Sequence, residues 1–279
     1  MSEVKEKKPG SKNDGSFSLK LENSRIIKSI IETLSNIIDE TMITITKDGL
    51  CIKAMDPSRI CLLQFIMKEK DFDEFECSST TEICLNLDDL DKIMKRSAAD
   101  DSIEIKFKED DNKIKIIMKK EGVSRSRTFS LAILDSEQEE IQMEKLLQIE
   151  YPAKWQMDPN LFTEAIKDAE IYSEILNLKT NEKGLTFSSS GQIGEMIYDL
   201  PKEDLIDSEI EGENLGAYSI NFLKSIMKLS GITEKLDISL KTDHPIKLIF
   251  NILEGAVLSY FLAPRVESAD FEDDDMGEL

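Results

Sequence analysis

Carboxylates are the most abundant reactive side chains in this sequence, and three clusters of them have spacings that a metal site could use: Asp88–Asp89, Asp100–Asp101 and Glu109–Asp111. Acids grouped this way can hold the divalent cations of a metal-dependent nuclease. Each cluster, however, falls at an expected helix start or hairpin turn, where acids cap helices or stay solvated. No glycine-rich phosphate loop and no nucleophile constellation accompanies them. The four cysteines, Cys51, Cys61, Cys77 and Cys84, include no C-x-x-C pair and no histidine at zinc spacing. Three of them sit in apolar, strand-like runs and read as reduced core thiols. His244, the one histidine, precedes Pro245 and reads as a turn residue with no group placed to use it as a base. The expectation is a protein that is not an enzyme and needs no metal or cofactor.

The chemistry that remains is electrostatic. With 35 basic and 56 acidic side chains among 279 residues, the net charge is −21. Such a chain repels DNA unless its positive charge is concentrated on one surface. Lys28, Lys92, Lys95, Arg96, Lys167, Lys224 and Lys228 fall on the polar faces of four expected helices. Solvated amphipathic helices ordinarily carry such faces. Here four helices related by a repeat share the feature, and Lys95 and Lys228 occupy equivalent positions. Lysine offers phosphates a mobile point charge and reads no sequence, so any contact with DNA of this kind would be local and independent of sequence.

The elements that must position these residues come in two copies. Lys47–Asp56 lines up without gaps with Glu182–Gly191, matching Gly49 to Gly184 in a turn between two strands. The same offset lays Ile26, Ile27, Ile30, Ile31 and Leu34 on Leu161, Phe162, Ala165, Ile166 and Ala169. At a slightly shorter offset Leu90, Ile93, Met94, Lys95 and Ser97 align with Leu223, Ile226, Met227, Lys228 and Ser230. The alternating strands Ile103–Phe107 and Leu236–Leu240 follow. Matches in the same order argue for a duplicated domain.

Periodicity and caps predict helices from Ser24 to Ile38, from an Asp88 cap to Ser97, from the Asp158-Pro159 start, and from Ser219 to a terminal Gly231. Between them lie short antiparallel strands, giving an α+β fold with helices on one face of the sheets. The expected division is a disordered extension over 1–15, a first domain over 16–133, an extended connector over 134–147, a second domain over 148–266, and an acidic tail over 267–279. A chain that is 40% hydrophobic can build such cores, and no apolar run is long enough to span a bilayer. The N-terminus has no apolar segment of the secretory kind. The expectation is a protein that stays inside the cell.

Two segments carry a family resemblance. Gly49-Leu-Cys-Ile-Lys-Ala-Met-Asp-Pro-Ser-Arg-Ile-Cys-Leu-Leu63 and Ser259-Tyr-Phe-Leu-Ala-Pro-Arg-Val-Glu267 resemble the corresponding segments of the proliferating cell nuclear antigen family. Leu134-Asp-Ser-Glu-Gln138 is similar to that family's interdomain connecting loop, and Asp199–Asp204 and Gly216–Ser219 look archaeal. The resemblance spans about Phe17 to Glu267. It implies two duplicated domains of the sliding-clamp type and a ring of three subunits. Helices line a hole that encloses duplex DNA, and sheets form the outside.

The resemblance also implies sites. A pocket for short peptides of DNA polymerase, flap nuclease and ligase would be lined by Met55, Ile60, Leu62, Ile141, Pro245, Tyr260, Phe261, Leu262, Ala263 and Pro264. Glu139, Glu140 and Gln142 stand on its rim where the family often has Leu, Gly and Pro. Edge strands near Val123–Leu131 and Glu195–Leu200 would join subunits. The interface residues would be Arg125, Arg127, Phe129, Glu164, Asp168, Met196 and Tyr198, with Glu164 and Asp168 pairing with Arg125 or Arg127 of a neighbour. Glu164 and Ser29 replace residues that are usually basic, which thins the positive lining. A clamp loader ATPase is an implied partner, because the chain has no ATP motif. The ring would be a homotrimer, with a heterotrimer, a damage-checkpoint-type clamp subunit and a non-DNA scaffold on the same fold as alternatives.

Overall fold

The computed structural model describes residues 15–108, 111–135, 141 and 143–265. The N-terminal extension before residue 15, Glu109, Glu139, Glu140, Gln142 and the acidic tail lie outside the described residues. The first half runs β1 (Phe17–Leu21), α1 (Arg25–Ser35), β2 (Glu40–Thr46), β3 (Gly49–Met55), β4 (Cys61–Lys68), β5 (Glu74–Cys77), β6 (Thr81–Asn86), α2 (Leu87–Met94), β7 (Asp101–Phe107), β8 (Lys113–Lys120) and β9 (Ser126–Ala132). After a helical turn, α3 (Glu144–Leu147), the same order returns. It comprises β10 (Ala153–Met157), α4 (Pro159–Glu170), β11 (Ile175–Asn181), β12 (Gly184–Gly191), β13 (Gly194–Pro201), β14 (Asp207–Ile210), β15 (Asn214–Ser219), α5 (Ile220–Ile226), β16 (Leu236–Leu240), β17 (Ile246–Asn251) and β18 (Ala256–Leu262).

All pairings between these strands are antiparallel, and their order exposes the duplication. In the first half β5-β1-β7-β8-β9 form one sheet and β6-β2-β3-β4 a second run. In the second half β14-β10-β16-β17-β18 and β15-β11-β12-β13 repeat that arrangement. The halves fuse where β18 pairs with β4, from Ala256↔Met67 to Leu262↔Cys61, which makes one nine-stranded sheet across both. Strand alternation aims Phe65, Leu63, Leu258 and Tyr260 inward at this seam, all fully buried. At about 1.5–3 kcal/mol for each large apolar side chain buried, the seam is a major source of cohesion between the halves.

Local chemistry explains the helix ends, and in places it differs from the sequence expectations. Asp158 caps α4, its carboxylate accepting from the Asn160 amide at 2.8 Å. For α2 the cap is Asn86 rather than Asp88. Asn86 is extended and its side chain accepts from the Asp89 amide at 2.9 Å, which puts Asp88 already in the first turn, where the helix dipole favours it. Helix α1 is shorter than expected, and Ser24 at its N-cap makes no side-chain cap bond; its backbone is helical and its hydroxyl donates to Ala98 O at 2.7 Å. Gly231 does not end a helix in the left-handed conformation. Helix α5 stops at Ile226 and tightens into a 3-10 turn over Met227–Ile232 that contains it. The connector is not extended throughout, since it closes with α3.

Gly49 and Gly184 start equivalent strands at φ +141° and +147°. A Cβ there would sit 2.2 Å from Met67 O in one half and 2.3 Å from Leu200 O in the other. Replacing either glycine by alanine is expected to lower the unfolding free energy by about 1–3 kcal/mol, read from the denaturant midpoint.

Candidate nucleic-acid interface and partner pocket

Helices from both halves gather into one layer. Helix α1 packs on α2, α4 on α5, and α1 on α5 and the Met227–Ile232 turn. Arg25 Nη2 donates to Gly231 O at 2.8 Å and ties the two pairs together. Apolar residues at helical spacing, Ile27, Ile30, Ile31 and Leu34 in α1 and Phe162, Ala165, Ile166 and Ala169 in α4, turn inward. The polar faces are therefore left to solvent.

On those faces Lys92, Lys95, Arg96, Lys167, Lys224 and Lys228 are exposed and Lys28 is half-buried. Four of the seven are engaged. Lys92 pairs with Asp89 at 2.8 Å, Lys95 with buried Asp91 at 2.6 Å, and Lys224 with Glu170. Lys28 Nζ donates to Ser97 O at 2.9 Å. Hydrogen bonds from these carboxylates, reinforced by their charge, hold Lys92 and Lys95 above the usual lysine range. Both remain fully cationic at neutral pH. Arg96, Lys167 and Lys228 have no ion-pair partner among the described residues, and Glu164 and Asp168 stand exposed on α4 near Lys167.

The apolar surface is built around a turn. Asp56 is buried, and its carboxylate accepts from the amides of Ser58 (3.0 Å), Ile60 (2.7 Å) and Cys61 (2.6 Å). That turn, with Arg59 at φ +58°, explains the Met-Asp-Pro-Ser-Arg segment. It holds Met55 and Ile60 out in solvent at 36% and 39% exposure. Strand register then sets Met55 opposite Leu62 and Leu62 opposite Phe261. Leu62 and Phe261 form a cluster separate from the main core, closed over by Met143 with Ile141 and Leu146 of the connector.

Ala263 N donates to Ile60 O at 2.9 Å, keeping half-buried Ala263 and Pro264 at the margin. Half-buried Pro245 accepts from the Tyr151 hydroxyl at 2.8 Å. Tyr260 and Leu262 do not line this surface. Strand alternation turns them into the main core, where both are fully buried. Burial pushes the Cys61 thiol on that core side up to about 12, so it stays protonated and inert. The sequence reading missed Met143 and Leu146, whose i, i+3 apolar spacing was a usable signal. It also missed Tyr151, for which the sequence held none.

The two predicted joining strands are edges. Among the described residues strand β9 pairs only with β8, and β13 only with β12. Phe129, Met196 and Tyr198 on them are half-buried, and Ile197 is 62% exposed. Burial, and then the charges of Glu164, Asp204 and Asp168, push the Tyr198 hydroxyl above the usual tyrosine range, and α4, which carries Glu164 and Asp168, packs against β13. Arg127 is not free to serve as a neighbour's cation. Its guanidinium donates to buried Asp101 at 2.6 Å and to Arg96 O at 2.8 Å in its own chain. That leaves exposed Arg125 without a partner among the described residues.

Among the described residues no helix is long and apolar enough to cross a membrane, and no group of three or more His, Cys, Asp or Glu is placed to hold a metal ion. Residues 16–140 match the family model described as the N-terminal domain of proliferating cell nuclear antigen, and residues 145–265 match the C-terminal domain. The chain is 32% identical over 253 residues to a DNA polymerase sliding clamp of Thermococcus gammatolerans, covering 90% of this chain and 99% of that protein. It is 29% identical over 253 residues, with the same coverage of both chains, to the sliding clamp of Pyrococcus furiosus. It is 27% identical over 255 residues to that of Nitrosopumilus maritimus, again covering 90% and 99%.

The backbone carbonyl of Met143 accepts from the Leu146 and Leu147 amides, both at 3.0 Å, so the residue whose side chain covers the Leu62–Phe261 cluster also starts α3. Met143→Ala is expected to lower hydrogen-exchange protection of those two amides by about tenfold while β4 and β18 stay protected.

Proposed function

The chain belongs to the proliferating cell nuclear antigen family, and on that footing we propose how it works as a DNA sliding clamp, the processivity factor of a DNA polymerase. The observation that carries the mechanism is the seam between the halves. By the repeat, β9 is the counterpart of β18 and β13 the counterpart of β4. Since β18 joins β4 inside one chain, β9 of one copy joins β13 of the next in the same way. Transferring the internal register sets Arg127 opposite Tyr198, Thr128 opposite Ile197 and Phe129 opposite Met196. Half-buried Phe129, Met196 and Tyr198 stand where the internal seam has fully buried Tyr260, Leu63 and Phe65. Association completes their burial.

One chain supplies both unlike edges, so identical copies suffice, and the ring typical of the family closes as a homotrimer. Exposed Arg125 beside β9 meets Glu164 and Asp168 beside β13. Two domains, 16–133 and 148–266, joined by 134–147, give six repeats around a hole lined by the helix layer. Arg96, Lys167 and Lys228 offer free charge to phosphates, while the ion-paired lysines soften the grip, which suits translation along duplex DNA. A clamp loader opens the ring. Polymerase, flap nuclease and ligase dock short apolar segments on Met55, Ile60, Leu62 and Phe261 after displacing the Met143 cover. Sliding clamps of this family are generally non-enzymatic, and this one tethers rather than catalyses, at the nucleoid in the cytoplasm.

Solution mass and retention on nicked circular against linear DNA test the ring. A species near three chain masses, held on circles and lost from free ends, is expected; a lasting monomer would refute it. The register has its own test. Thr128→Cys with Ile197→Cys should form disulfides between copies on mild oxidation, whereas Thr128→Cys with Met196→Cys, one residue out of register, should not. Changing Arg96, Lys167 and Lys228 to Gln should keep the mass. It should also flatten the salt dependence of duplex binding, by about 0.9 in slope for each phosphate no longer neutralised.

A further inference from the structure

We infer that Lys247 and Lys154, on the outer face of the nine-stranded sheet, form a carboxylate-binding rim for the same partner segment whose apolar anchor fills the Leu62–Phe261 pocket. The inference rests on the partner-pocket reading and adds to it the chemistry of what flanks the anchor: an acidic residue.

Strand register makes the pocket and the two lysines one row. Leu62 lies opposite Phe261, Phe261 opposite Lys247, Lys247 opposite Ser239, and Ser239 opposite Lys154. The Lys247 ammonium sits 5.7 Å from the centroid of the Phe261 ring, so the pocket's own aromatic wall carries a cation. Burial, followed by the charge of Lys154, pulls Lys247 below the usual lysine range. A carboxylate arriving there would offset both effects.

Neither lysine has an ion-pair partner among the described residues, in a chain whose net charge is −21. The groove beside them is open to solvent, with a volume of about 470 Å³. Its own acids are otherwise occupied or set apart. Asp237 accepts from Gln156 Nε2 at 2.8 Å and from Asn251 Nδ2 at 2.7 Å, and Asp207 accepts from the Ser208 amide at 2.8 Å. Glu209 faces Lys154 across β14 and β10 without forming an ion pair. Two adjacent cations that form no ion pair among the described residues, next to an apolar pocket, fit a peptide that is apolar first and acidic a short way on. Strands lie about 4.8 Å apart and an extended peptide advances about 3.3 Å per residue, so the acid falls roughly two to four residues from the anchor.

Fluorescein-labelled peptides with a Phe-Phe anchor and either Glu or Gln three residues further on would be titrated onto the full chain by anisotropy. K154Q, K247Q and the double variant would be measured alongside. The Glu peptide is expected to bind the parent chain about three- to tenfold more tightly than the Gln peptide, a preference that shrinks in each single variant and vanishes in the double one. Affinity for the Gln peptide should be the same throughout. Equal binding of both peptides to the parent chain, or a preference that survives in the double variant, would overturn the rim and leave the pocket standing. Failure of both peptides to bind the parent chain would overturn the pocket and the rim with it. A change of assembly mass in the double variant would assign the lysines to contact between copies and would also overturn the inference.

Discussion

The pairing of β18 with β4 is the constraint on which the rest of the molecule depends. It converts two duplicated domains into one continuous sheet and sets the helices of both halves in a common layer. It also brings Leu62 and Phe261 side by side, although they are far apart in the chain. Once that pairing is made, β9 and β13 are the repeat-related edges left without their counterpart among the described residues. An unpaired edge is ordinarily a liability, blunted by charge or bulges. Here each edge keeps a half-buried apolar residue at its centre, which suits a strand that is to be covered by a specific partner.

The electrostatics follow a related logic. An acidic chain can approach a polyanion only where its cations cluster, and this chain restricts even that cluster. Asp89, Asp91 and Glu170 each hold a lysine on the helix layer. The exposed pairs among them, Lys92–Asp89 and Lys224–Glu170, are worth little to stability, commonly below about 1 kcal/mol. Their larger effect is on the field, because each paired lysine offers phosphate less than a free one. On the proposed mechanism this pairing keeps the grip on duplex DNA light, and encirclement supplies the retention.

Much of the fold was legible in the sequence because duplication writes each element twice. Gly49 and Gly184, the paired helix stripes and the alternating strands Ile103–Phe107 and Leu236–Leu240 all lie where the repeat requires. Features set by a single side chain were less legible. Asn86 and Asp88 are both good caps by composition, and only backbone geometry selects Asn86. Tyr260 and Phe261 are adjacent aromatic residues, and the pleat sends one to the main core and the other to the small buried cluster under the connector. Arg127 reads as available to a neighbour, yet Asp101, distant in sequence, holds it. The link from Phe261 to Lys247 is a cross-strand relation that no local pattern encodes.

The two free edges are chemically unlike, one presenting Phe129 with Arg125 beside it and the other Met196 and Tyr198 beside acids. A ring closed through unlike edges has only a rotation axis, with no two-fold axis lying across it. Its upper and lower faces therefore differ, and all of its pockets bear the same geometric relation to that axis. Threaded on a double helix, such a ring is a washer with a front and a back. Any enzyme tethered to it inherits a fixed heading along the strand, without either protein reading a single base.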